Sequence, residues 1–189
     1  FKISRCSHKN IHGWEDFIRA KEGTLIGGLT FLNDWIIRSE VSDALSKIYV
    51  RNIKTNKEEE LKITEEKVIS PGISLKQKDK NTNIIRIGYD SPKTPSRTFE
   101  YNIKTKEKKL IKEQIVPSGH NRDDYIVERL NCESHDGRKI PMTITYHKDT
   151  KLDGSAHVLL YGYGSYGMSM GPSFSSTRLS LINRNIIWV

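Results

Sequence analysis

The sequence predicts repeated antiparallel β modules of the four-stranded blade kind, followed by the opening of a mixed α/β layer. Three observations carry this expectation. Short β-forming segments alternate with turn residues over roughly the first 115 positions. A stretch of the first module is echoed in the second, which is the mark of a repeated unit. Beyond residue 115 the rhythm changes to an apolar strand that runs into a glycine-rich turn and then an amphipathic segment of helical period.

In chain order, segments 25–32, 35–41, 47–54 and 60–63 are consecutive candidate strands, with Asn33-Asp34 and Thr55-Asn56-Lys57 as turn chemistry between them. Four such strands joined by hairpins make one propeller blade. Segments 83–90, 97–103 and 108–111 supply most of a second, with Asn102-Ile103-Lys104-Thr105-Lys106 as a tight polar turn. The internal repeat is Val50-Arg51-Asn52-Ile53-Lys54-Thr55-Asn56-Lys57-Glu58 against Phe99-Glu100-Tyr101-Asn102-Ile103-Lys104-Thr105-Lys106-Glu107. A β-sandwich also fits short strands at regular spacing.

The stretch 114–124, with Pro117 and Gly119, reads as a linker, so the chain divides into residues 1–115 and 116–189. Segments 124–132 and 139–147 then form an antiparallel pair around Ser134-His135-Asp136-Gly137-Arg138, where Asp-Gly is the hairpin signal. Residues 151–154 turn the chain into a strand at Val158. Segment 172–184 reads as a helix, with Ser173 as its cap and Phe174, Leu181 and Ile182 on the buried side. Residues 186–189 begin a strand for which the sequence offers no partner, an exposed apolar edge prone to aggregation.

Composition narrows the function classes. Hydrophobic residues make up 35% against 29% charged, which suits exposed strand-rich meanders better than a thick α/β core. The formal charge of +8 comes from lysines interleaved with glutamates, as in Lys57-Glu58-Glu59-Glu60 and Thr64-Glu65-Glu66-Lys67, so it describes a solvated basic surface and no nucleic-acid partner. Cys6 and Cys132 are far apart and outside any CxxC spacing, as expected of reduced thiols in the cytoplasm. His8 and His12 are four apart, but Gly13 follows directly and the pattern is not helical, so no metal and no cofactor are expected. No apolar run approaches the roughly eighteen residues needed to cross a bilayer, and no membrane partner is expected. The chain starts at Phe1 without an initiator methionine, and both ends read as cuts through a larger protein, with an upstream leader left open.

The chemistry-bearing run is Val158-Leu159-Leu160-Tyr161-Gly162-Tyr163-Gly164-Ser165-Tyr166-Gly167, a strand ending in a loop of close backbone turns. In an α/β-hydrolase such a loop after an early strand contributes to the oxyanion hole, and a tyrosine hydroxyl is a suitable donor. Ser165 is a turn residue and not a nucleophile, because a nucleophile elbow needs glycine two positions before the serine and Tyr163 stands there. From the residues alone, a tyrosine-rich strand end that only packs a domain stays open.

The run from Leu159 to Gly167, followed by Phe174-Ser175 and Arg178-Leu179-Ser180-Leu181, resembles the start of the catalytic domain of the prolyl oligopeptidase family, most of all its oligopeptidase B branch. Val116-Pro117-Ser118-Gly119-His120, Tyr125-Ile126-Val127-Glu128-Arg129-Leu130 and Asp136-Gly137-Arg138-Lys139-Ile140-Pro141 resemble the passage from propeller to hydrolase domain in that branch. Tyr89-Asp90-Ser91-Pro92-Lys93-Thr94-Pro95 and Phe99-Glu100-Tyr101 resemble its last propeller strands. The resemblance implies a β-propeller end over residues 1–115 and the beginning of an α/β-hydrolase domain over 116–189.

It also implies that Tyr163 helps stabilise the oxyanion, that Tyr166 lines the pocket for the residue before the scissile bond, and that Tyr161 is structural. The implied activity is serine-type hydrolysis of short peptides after Arg or Lys. The serine, aspartate, histidine and substrate-binding acids of that pattern fall after this region, so the chain alone is expected to be inactive unless a complementing C-terminal half joins it. A propeller-derived binding module and a decayed gene product remain the alternatives. One departure is local. The family pattern has Arg-Gly where this chain has Arg184-Asn185, and asparagine is the next most tolerant residue at a left-handed helix exit.

Overall fold

The computed structural model describes residues 1–74 and 79–189. It opens on an antiparallel hairpin of β1 (Ile3–Ser7) and β2 (Asn10–Ile18) that the sequence pattern did not reveal. The residues of β2 are largely polar and exposed, so no apolar alternation marks the strand.

Four strands follow as one sheet in sequential order: β3 (Thr24–Phe31), β4 (Trp35–Ser42), β5 (Leu45–Asn52) and β6 (Glu58–Glu60). The last lies earlier than the expected 60–63. Glu58, Glu59 and Glu60 pair with Arg51, Val50 and Tyr49, while Ile63 is buried in the core beyond the ladder. The pairing has an electrostatic cause. Arg38, only 5% exposed, grips Glu58 through Nη1 and Nη2 at 2.6 and 3.1 Å and Glu40 through Nε at 2.8 Å, and Arg51 donates to Glu58 at 2.9 Å. Burial works against the charge on Arg38, but its bonds to Glu58 and Glu40 outweigh that and raise its pKa.

A second four-stranded sheet comprises β7 (Ser70–Ser74), β8 (Ile84–Asp90), β9 (Arg97–Asn102) and β10 (Lys108–Glu113), again in sequential antiparallel order. The strand missing from the sequence reading is β7, where Pro71 and Gly72 disguise an edge strand paired with β8. Ile37, Ile48 and Val50 of the first sheet meet Ile85, Ile87, Tyr89 and Tyr101 of the second in one core, joined by Ile63 and Ile103. Each strand pairs with its neighbour in sequence and no strand crosses over, which is the order of propeller blades and not of a Greek-key sandwich. Two blades and a hairpin do not close a ring among the described residues.

The internal repeat is a repeat of turn geometry. Asn52 Oδ1 accepts from the N–H groups of Lys54 and Thr55 at 3.0 and 2.9 Å, and Asn102 Oδ1 accepts from Lys104 and Thr105 at 3.0 and 3.2 Å. Asn56 and Lys106 then occupy the same left-handed position, with φ of 57° and 66°. Ile53 N–H bonds to Asp34 O, and Ile103 N–H bonds to Asn83 O, so each turn clasps the residue that leads into the preceding strand, β4 or β8.

The third sheet has the order β11-β12-β14-β13. As expected, β11 (Tyr125–Glu133) and β12 (Lys139–His147) form a hairpin, with Gly137 at φ 77° in its turn. Strand β13 (His157–Leu159) pairs in parallel with β14 (Ile186–Trp188), and the connection between them contains α1 (Ser176–Ile182). Two expectations are corrected here. The helix is shorter than 172–184 and its cap is Ser175, which is extended and whose Oγ accepts from Arg178 N–H at 3.3 Å, satisfying a free donor of the first turn. Its buried residues are Leu179 and Ile182, with Phe174 and Trp188 packed beside them. The last strand is not an orphan edge either, since β14 lies between β12 and β13. Asn185 sits at the helix exit with φ 61°, as the tolerance argument required. This mixed sheet of four strands with one helix is not by itself an α/β-hydrolase sheet, so the second half of the expected fold class is not displayed by these elements.

Candidate functional site

The tyrosine run leaves the carboxyl end of β13 as an exposed loop over residues 160–171. Its start is tied to the sheet: Tyr161 N–H donates to Val189 O at 2.9 Å, and the Tyr161 ring lies against Trp188 with centroids 5.8 Å apart. Tyr161 is therefore built into the sheet edge. Beyond it, Ser165–Gly167 forms a single 3₁₀ turn in which Ser165 O accepts from Met168 N–H at 3.1 Å. Tyr166 occupies the left-handed region there, at φ 57° and ψ 26°, a conformation uncommon for a bulky residue. Its side chain is 94% exposed, and that of Tyr163 is 49% exposed. Among the described residues, neither hydroxyl has a hydrogen-bond partner. The sequence thus placed both candidate tyrosines on one loop, and the structure keeps both hydroxyls free.

The far end of the loop is held by residues that sequence reasoning missed. Asp90, the last residue of β8, accepts from Phe174 N–H through Oδ2 at 3.0 Å, although the two are 84 positions apart. Burial pushes the Asp90 carboxyl up from its ordinary range, while the Phe174 N–H and the charge of Arg178 act in the opposite direction. His120 completes the joint. Its Nε2 lies 2.7 Å from Lys93 O, which makes Nε2 the protonated nitrogen, and its ring stacks on Tyr125 at 5.1 Å and meets Phe174 edge-on at 5.2 Å. Glu66 accepts from Ser91 Oγ and Thr94 Oγ1, both at 2.7 Å, and lies 3.6 Å from Arg122. No local pattern marks Asp90 or His120, because their partners are brought by the fold alone.

A cavity of about 380 Å³ opens at the same joint, lined by Pro95, Arg97, Glu113, His120 and Asp123 among others. Arg97 donates to Glu113 at 2.9 Å, whereas Arg97 Nε and His120 Nδ1 are buried without a hydrogen-bond partner among the described residues.

Sequential four-stranded antiparallel blades packed on one another define the first segment as part of a β-propeller. Residues 1–114 match the family model for the prolyl oligopeptidase N-terminal β-propeller domain, and the chain belongs to the prolyl oligopeptidase family. Among curated relatives, it is 35% identical to dipeptidyl aminopeptidase BI of Pseudoxanthomonas mexicana over 93% of this chain and 24% of that protein. It is 27% identical to protease 2 of Moraxella lacunata over the whole of this chain and 27% of that protein. The chain therefore spans about a quarter of the length of these relatives. Oligopeptidase B from Trypanosoma brucei superposes with a TM-score of 0.86 at 23% identity, over 96% of this chain and 26% of that one, a likeness of fold.

Proposed function

We propose that this chain is part of a serine-type oligopeptidase of the oligopeptidase B branch, acting in the cytoplasm on short peptides after Arg or Lys. In this reading residues 1–115 belong to the propeller that limits access, and residues 116–189 open the α/β-hydrolase domain. Tyr163 donates its hydroxyl to the oxyanion of the tetrahedral intermediate, and Tyr166 lines the pocket for the residue before the scissile bond. The observation that carries the reading is the loop over 160–171, which follows the carboxyl end of a parallel strand and presents two unpartnered tyrosine hydroxyls. Open α/β sheets place their chemistry at that end of the strands.

A phenol donor acts on charge that appears only in the transition state, so it changes turnover more than substrate affinity. Two assays test the reading. The 189 residues alone neither cleave arginyl or lysyl reporter peptides nor take up a serine-directed phosphonate: Gly167-Met168-Ser169-Met170-Gly171 has the Gly-x-Ser-x-Gly spacing, but Ser169 lies on an irregular exposed loop and not on a strand-to-helix elbow. In the protein carrying the nucleophile, whether as one polypeptide or with a complementing half, Tyr163→Phe lowers kcat by about 100-fold or more with little change in KM. Phosphonate labelling of the 189 residues, or an unchanged kcat in Tyr163→Phe, refutes the corresponding assignment.

A further inference from the structure

We infer that Asp90 is a positioning residue for the tyrosine loop: from the end of a propeller strand, its carboxylate fixes the point at which that loop leaves for α1. The functional half of this inference rests on the roles proposed above for Tyr163 and Tyr166. The loop is held at two ends. Tyr161 N–H binds Val189 within the third sheet, whereas Phe174 N–H crosses to Asp90 in the second blade. Pro172 is buried just before that anchor, and Gly171 passes beside Ser70, the register partner of Asp90. On the other side of the anchor, Arg178 donates from Nη1 to Ser173 O at 2.9 Å and lays its guanidinium over the Trp188 ring at 4.7 Å. The stretch 171–174 is therefore tethered from both sides, and among the described residues Asp90 supplies its one carboxylate acceptor.

Among the described residues, few charged groups face Asp90. Arg178 faces it from α1, and His120 reaches it from the linker by its contact with Phe174. Glu66, with Arg122 beside it, is bonded to the neighbouring Ser91.

The test is amide hydrogen exchange in the protein carrying this chain, corrected for intrinsic rates. Asp90→Ala speeds exchange at Phe174 and over 162–171 by about 10- to 100-fold while β11 and β12 are unchanged. Asp90→Asn restores protection, since its amide oxygen still accepts the Phe174 N–H. Unchanged exchange in Asp90→Ala overturns the inference. In the active protein Asp90→Ala lowers kcat, and Asp90→Asn recovers it. Exchange that responds in a protein without peptidase turnover leaves the anchor standing and removes the peptidase reading instead.

Discussion

At the residue scale, the least exposed charge on a strand is Arg38, and its neutralisation is a condition for folding the first blade. Leaving one member of a buried ion pair alone costs far more than the pair contributes. Glu58→Gln leaves Glu40 as the remaining carboxylate on Arg38 and therefore destabilises the chain by about 2 kcal/mol at neutral pH, read as a lowered urea midpoint. The effect has a sign in pH. Burial acts to raise the Glu58 carboxyl, but Arg38 and Arg51 outweigh it and hold its pKa below the ordinary 4.5. The stabilisation is thus complete above the unfolded-state pKa and is lost as pH falls through the lower folded value. The midpoints of the parent and Glu58→Gln should converge on acidification below pH 4.5; a gap that persists through that titration contradicts the assignment. Asp90 shifts in the opposite direction for the same reason, because its burial is not outweighed by its partners.

At the element scale, the repeated turns and the helix exit follow from asparagine chemistry. Asn52→Ala and Asn102→Ala each remove an acceptor shared by two backbone N–H groups, and each should cost about 1 kcal/mol in thermal or chemical unfolding. Equal costs are expected because the two turns match bond for bond; a neutral Asn102→Ala would show that the repeat is only a sequence echo. Asn185, at φ 61°, tests the family departure directly. Asn185→Gly should stabilise by about 0.5 kcal/mol and Asn185→Ala destabilise by about 1 kcal/mol, since only glycine enters the left-handed region without steric cost. The hairpins within the blades, the hairpin of β11 and β12 and the presence of α1 were legible at this scale because turn residues and apolar period are local signals. Strand β7 was not, because Pro71 and Gly72 are local signals against a strand that only pairing with β8 overrides.

At the scale of the whole molecule, two apolar clusters are separate. One gathers buried side chains between Leu32 and Ile103, and the other gathers Tyr125, Leu179 and Ile182 with Phe174 and Trp188. Among the described residues, polar contacts span them: Asp90 to Phe174, His120 to Lys93, and Arg129 to the Asp43 carbonyl. Separate cores across a polar joint open separately. Native-state hydrogen exchange should therefore find β12 and β14 opening at a lower free energy than β4, β5, β8 and β9, and one common opening energy for all would show a single cooperative unit. The sequence by itself determined the blades, their repeated turns, the hairpin of β11 and β12, and the placing of Tyr163 and Tyr166 on one loop after a strand. These rest on period and turn chemistry, which act within a few residues. The tertiary structure alone decided that Glu58, not Ile63, pairs with β5, that β14 is an inner strand, and that Asp90 holds Phe174 across 84 residues. Such choices depend on which buried charges and unpaired N–H groups the fold brings together, and no local window of sequence contains both partners.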